Sequence, residues 1–154
     1  MAKQKTNQPK SISNRRARHD YDLGDSLTVG LQLTGAETKS LRQGHGHLKG
    51  AYVTVKDSEL WLINTTITGN KGVVVPESDK TRARKILAKR REIDSLIASK
   101  QQGKTIVPLE ILTRGRYIKL RISIGRGKKL YDKRQTLKAR DDLRRTQAML
   151  KQQR

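Results

Sequence analysis

Apolar and polar residues alternate most regularly over residues 116–124. Ile118, Leu120, Ile122 and Ile124 share one face there, and Tyr117, Lys119, Arg121 and Ser123 share the other. A period of two predicts a strand with one face on a core and the other toward solvent or an anion. The same alternation, less regular, predicts a strand over 27–33 (LTVGLQL). Residues 51–55 (AYVTV) and 59–67 (ELWLINTTI), separated by the polar turn Lys56-Asp57-Ser58, read as a hairpin. Residues 105–113 (TIVPLEILT) form a further strand, with Pro108 marking an edge or a bulge. Helical spacing appears in two places. Glu37–Gln43 predicts a short helix stopped by Gly44. Ala83, Ile86, Leu87, Ile93, Leu96 and Ile97 recur at three- to four-residue intervals, which predicts one helix from an N-cap at Ser78 or Asp79 to about Lys100. Val73–Val75 can add a short strand within the loop at 68–78. Short strands with one late helix predict a mainly β fold, a small antiparallel barrel.

The termini depart from this pattern. Residues 1–13 (MAKQKTNQPKSIS) are polar and predict a flexible basic arm ahead of a domain over 14–134. From residue 135 apolar positions thin to Leu137, Leu143, Met149 and Leu150 while helix formers dominate. This predicts a basic tail over 135–154, disordered alone and helical on a partner.

Charge sharpens the picture. Thirty-five Lys and Arg oppose 14 Asp and Glu, for a net +21. Residues 82–91 hold six basic and no acidic side chains, and residues 114–154 hold 15 basic and three acidic. Residues 22–81 and 92–113 are each close to neutral. Cationic segments around a neutral body predict a polyanion binder, because Lys and Arg displace condensed counterions from phosphates. With no Cys, there is neither a disulfide framework nor a thiolate zinc site. No apolar run approaches the roughly 20 residues that cross a bilayer, and the basic N-terminus carries no secretory h-region. Nucleic acid in the cytoplasm is therefore the expected partner, and a membrane is not.

Two motifs carry the candidate chemistry. Asn14–Tyr21 (NRRARHDY) sets Arg15, Arg16 and Arg18 beside His19 and Tyr21, so cations for phosphates stand next to rings that stack on bases. A solvated approach to the first strand explains the same octet equally well. Gly125–Arg134 (GRGKKLYDKR) places Arg126, Lys128, Lys129, Lys133 and Arg134 around Tyr131 and Asp132, after glycines that admit a close backbone approach. It lacks the spacing of a Walker loop. His45 and His47 in Gly44-His45-Gly46-His47 have no third ligand nearby, so a turn is expected there and no metal. Glu37, beside Lys39 and Arg42, reads as a local ion pair or helix cap. Neither a second carboxylate nor a Ser–His–Asp set accompanies it, so no enzyme activity and no cofactor are expected.

These blocks occur in one order with Leu33–Arg42 (LTGAETKSLR), Leu48–Tyr52 (LKGAY), Glu59–Leu62 (ELWL), Arg82–Ile93 (RARKILAKRREI) and Val107–Leu109 (VPL). Over residues 12–135 the chain resembles small protein B, the SsrA-binding protein family of bacteria. The resemblance implies a closed six-stranded barrel similar to an OB-fold, with peripheral helices. It implies binding to the tRNA-like domain of transfer-messenger RNA (tmRNA), partnership with the 70S ribosome, and elongation factor Tu met through that RNA. It implies rescue of stalled ribosomes with peptide tagging (trans-translation) and no catalysed reaction, and a monomer is expected. By motif, Glu37 and the Lys128–Arg134 stretch belong to the tmRNA surface, Arg15, His19 and Tyr21 lie toward RNA or the decoding region, and Arg16, Arg18, Lys39 and Arg126 are counted with them as RNA-binding. The tail residues Lys138, Arg140, Arg144, Arg145 and Lys151 contact ribosomal RNA in the empty mRNA channel. The chain departs from the family where His-Ile-x-Pro-Tyr is usual, carrying Thr66–Asn70 (TITGN), and where Asp-Pro is usual, carrying Asp79-Lys80. The alternative reading is a small basic ribosomal protein, which shares such arms and barrels.

Overall fold

The computed structural model describes residues 11–152. The expected arm at 1–13 lies mostly outside that range. Its last residues form a two-residue strand β1 (Ile12–Ser13) because Ile12 buries against the core. A short helix α1 (Ala17–Asp20) leads into β2 (Tyr21–Leu31), followed by α2 (Gly35–Arg42) and β3 (Gly46–His47). Then come β4 (Tyr52–Lys56), β5 (Glu59–Ile63), β6 (Thr66–Ile67) and β7 (Arg84–Leu87). Helix α3 (Arg90–Gln101), β8 (Thr105–Leu112), β9 (Lys119–Gly127) and α4 (Leu130–Gln152) complete the order.

Seven strands form one antiparallel sheet in the order β1-β8-β9-β2-β7-β5-β4. The closed six-stranded ladder expected from the sequence is not present, and β1 and β4 are edges. The sheet still curls far enough that β4 packs against β8. Its concave face encloses one core, built from Val29, Val53, Leu60, Leu62, Ile86, Ile106, Ile111, Ile118, Leu120 and Ile122 with Leu41 of α2 and Ile93 and Leu96 of α3. The small pair β3–β6 sits apart from this sheet.

The hairpin β4–β5 turns at Asp57 and Ser58, whose φ values of 53° and 57° give the paired left-handed turn that suits strand twist. Strand β9 and Ile118 just before it carry the predicted alternation, with Ile118, Leu120 and Ile122 buried and Lys119 exposed. Ser123, expected on the outer face, is buried instead. A bulge in β2 between Leu23 and Ser26 brings two carbonyls over it, and its hydroxyl lies 3.0 Å from both the Gly24 and Asp25 oxygens. Pro108 marks a bulge in β8 rather than an edge. Asn14 answers the displaced carbonyls there, its backbone N–H donating to Leu109 and its side chain to Pro108.

The largest correction concerns residues 78–100. One helix was expected; a 3-10 turn (Glu77–Asp79), strand β7 and helix α3 are found. Arg84 and Ile86 alternate inward with Lys85 and Leu87, a period of two hidden inside a helix-like sequence. Ladder pairing to β2 and β5 stabilises the extended form. Val73 and Val75 are buried, but only an isolated bridge from Asn70 to Val73 forms there.

Candidate nucleic-acid interface

The two sequence motifs lie about a hundred residues apart and meet in space. Antiparallel pairing of β2 with β9 sets Tyr21 opposite Gly127 and Asp22 opposite Arg126. Helix α1 therefore ends where α4 begins. The Lys128 backbone N–H donates to the Asp20 carbonyl at 2.9 Å, and Lys128 Nζ donates to the Arg18 carbonyl at 3.0 Å. Asp20 lies at the centre of this junction. His19 Nδ1–H donates to Asp20 Oδ1 at 2.8 Å, and Lys133 Nζ lies 3.5 Å from the same oxygen. The hydrogen bond from His19, helped by the Lys133 and Arg16 charges and opposed by burial, holds the Asp20 carboxyl below its ordinary value.

Around this junction Arg15, Arg16, Arg18, Arg126, Lys129, Tyr131, Asp132 and Arg134 are exposed, while His19, Tyr21 and Lys133 are half-buried. An open cleft lined by Arg15, Arg18, Tyr21, Arg121 and Lys128 runs beside it. Cations of this density, with rings among them, suit phosphates on a shaped surface. Lys128 is committed to the junction, its Nζ also donating to Thr136 Oγ1 at 3.3 Å, so it positions α4.

Helix α4 continues from the junction for 23 residues without a buried side chain. Lys138, Arg140, Arg144, Arg145 and Lys151 are all exposed along it. The segment from residue 135, expected to be disordered alone, is the greater part of this helix.

Glu37, expected by motif at an RNA surface, is 1% exposed. Lys39 beside it is exposed. Thr34 Oγ1 accepts from the Glu37 N–H and Glu37 Oε2 accepts from the Thr34 N–H, a capping box that starts α2. The carboxylate's partners are not the neighbouring Lys39 and Arg42. Arg82 donates through Nε and Nη2 at 2.8 and 2.7 Å, and Arg84 through Nε and Nη2 at 3.0 and 2.8 Å. Arg84, itself 0% exposed, also donates to the carbonyls of Thr65, Asp79 and Arg82. Burial pushes the Glu37 carboxyl up, but Arg82, the Thr34 N–H and Arg84 outweigh it and hold it below the ordinary value. Two of the six cations of the 82–91 cluster are therefore structural, a fact with no local signal in the sequence. Asp20 was missed for the same reason.

Asn70 Nδ2 donates to His45 Nε2 at 2.9 Å and to Gln43 Oε1 at 2.7 Å, which ties its loop to the segment after α2. Among the described residues no group of three His, Cys, Asp or Glu is placed to hold a metal. No described helix is long and apolar enough to cross a membrane.

A curled β-sheet bearing a two-part cationic face, with a basic helix projecting from it, defines a binding protein for a folded polyanion. The SmpB protein family model matches residues 11–152. The SsrA-binding protein of Dinoroseobacter shibae is 43% identical over 158 residues, covering 99% of each chain. That of Synechococcus sp. (strain JA-2-3B'a(2-13)) is 43% identical, covering 92% of this chain and 93% of the relative. A chain of the solved structure "tmRNA-SmpB: a journey to the center of the bacterial ribosome" matches with a TM-score of 0.64 at 36% identity, covering 78% of this chain and 85% of that one. The chain belongs to the SmpB protein family.

Proposed function

We propose that this chain binds the tRNA-like domain of tmRNA and delivers it to stalled ribosomes for rescue and peptide tagging. The observation that carries this reading is the junction of α1 with the root of α4, where two distant basic motifs become one face. The relatives named SsrA-binding protein and the tmRNA-SmpB neighbour support the choice of RNA. On this reading the curled sheet is a barrel-like body of OB type that presents the face. Arg15, Arg16, Arg18, Arg126, Lys129 and Arg134 hold phosphates, and His19, Tyr21 and Tyr131 lie against bases or sugars. Lys39 adds an exposed cation on α2 away from the junction, while Glu37, buried, holds α2 to the Arg82–Arg84 segment. Helix α4 occupies the empty mRNA channel through Lys138, Arg140, Arg144, Arg145 and Lys151. The protein acts in the cytoplasm as a monomer, by binding and without catalysing a reaction, and meets elongation factor Tu through the RNA.

Arg126→Ala combined with Lys129→Ala tests the face, because both side chains are exposed. Titration with the tRNA-like domain is expected to show weaker binding and a shallower dependence on salt, by about one unit for each phosphate no longer neutralised. An unchanged affinity and slope counts against this site. Truncation after Arg134 is expected to preserve most of the RNA affinity and to abolish tagging on stalled ribosomes.

A further inference from the structure

The outward face of β9 and the hairpin before it lie outside the junction just described. Arg114, Arg116, Tyr117, Lys119 and Arg121 line an open cleft there, with Glu110 as its acid. Glu110 is occupied by Arg121, whose Nη1 lies 3.3 Å from Oε2. Tyr117 is 67% exposed, in a chain that has only five aromatic residues. The Arg116 guanidinium sits over its ring, 5.5 Å from the centroid. The hairpin is held in place: Arg42 of α2 donates to the Arg116 carbonyl at 2.9 Å, and Gly115 makes the turn at φ +86°. Tyr117 adds nothing to the core at that exposure. A ring on an anchored hairpin, a guanidinium and the exposed Lys119 are the parts of a platform for an unpaired base with its phosphates. Glu110 and Arg121 also line the cleft that holds Arg15, Arg18 and Lys128, so the two surfaces are continuous.

We propose that this hairpin cleft takes one unstacked nucleotide of a folded RNA, its base against Tyr117 and its flanking phosphates on Arg116 and Lys119. The proposal rests on the RNA-binding reading above and extends the interface past the junction. Full-length protein carrying Tyr117→Ala, Tyr117→Phe, or Arg116→Ala with Lys119→Ala is titrated with two probes, the isolated tRNA-like domain and 70S ribosomes. Tyr117→Ala is expected to weaken binding of one probe by about tenfold without altering its salt dependence, the size of a single base stack. Tyr117→Phe keeps the ring and binds like the parent. The double cation variant weakens the same probe and flattens its salt dependence. The probe that responds identifies whether the nucleotide belongs to tmRNA or to the ribosome. Tyr117→Ala within twofold of the parent on both probes overturns the proposal, as does an equal loss with Tyr117→Phe. Failure of the underlying reading looks different: the parent protein then binds neither probe.

Discussion

Replacing Glu37 by Gln is the sharpest test of what holds the fold together. The substitution keeps the volume and removes one negative charge. It leaves Arg84, which is 0% exposed, as a buried cation with no anion. The new amide also presents N–H donors to groups that are themselves donors, among them the Thr34 N–H and the Arg82 and Arg84 guanidinium groups. Breaking a buried pair from one side costs about 3–5 kcal/mol, more than the pair contributes as a whole. For a chain of this size each kcal/mol corresponds to roughly 2–4 °C, so the melting temperature is expected to fall by roughly 6–20 °C. Calorimetry on the purified protein measures it. Glu37→Leu together with Arg84→Met removes both charges at once and is expected to recover a large part of the loss. A melting temperature within about 2 °C of the parent for Glu37→Gln refutes the reasoning, since a brace that matters cannot be removed so cheaply. The pH dependence adds a second check. Because the Glu37 carboxyl titrates below its ordinary 4.5 when folded, the unfolded chain binds the proton first as pH falls. Its stabilisation is complete above that value and is lost as pH drops through the folded one. The stability gap between parent and Glu37→Gln should therefore narrow in acid, and parallel curves contradict the assignment.

Three further outcomes follow from the geometry. Ser123→Ala strands the Gly24 and Asp25 carbonyls under the β2 bulge, and a loss of about 1–2 kcal/mol is expected in urea unfolding. Gly46→Val puts a Cβ only 2.8 Å from Leu41 Cδ2 and 3.2 Å from the Thr66 oxygen, so the β3–β6 pair should separate, read as faster amide exchange at Thr68, whose N–H donates to the His45 carbonyl, while Ile67, bonded to the Lys80 carbonyl, stays protected. Asp20→Asn weakens the tie to Lys133 and His19, and exchange at the first amides of α4 should rise while β9 stays protected. Unchanged exchange at the root of α4 would show that the backbone ladder alone holds the helix.

The period-two run at 118–124 was legible because its apolar positions are strictly local and its inner face meets the core. The same logic failed at 84–87. Ile86 and Leu87 satisfy a helical stripe as well as a strand, and what decides between them is Arg84, whose inward position depends on Glu37, 47 residues earlier. No window along the chain contains both. Residues 21–26 were not read as strand because Asp22, Gly24, Asp25 and Ser26 look like a loop. They extend because β9 lies alongside to pair them. The two basic motifs were legible as chemistry, but their union was not, since it is made by strand pairing rather than by either motif. Glu37 was legible as a helix cap, and the structure supplies Thr34 as the residue that completes it. Its long-range partners were not.

The way α4 is rooted has a mechanical consequence. Twenty-three helical residues make a rod about 35 Å long, gripped at its base by Asp20, Lys128 and the Tyr21–Gly127 pairing. A rod held at one end magnifies motion. Tilting the body by about 10° sweeps the far tip through about 6 Å, a little more than a full turn of helix. Small adjustments where the body seats thus become large displacements at the tip, and the stiffness of a few bonds around Asp20 sets the gear ratio.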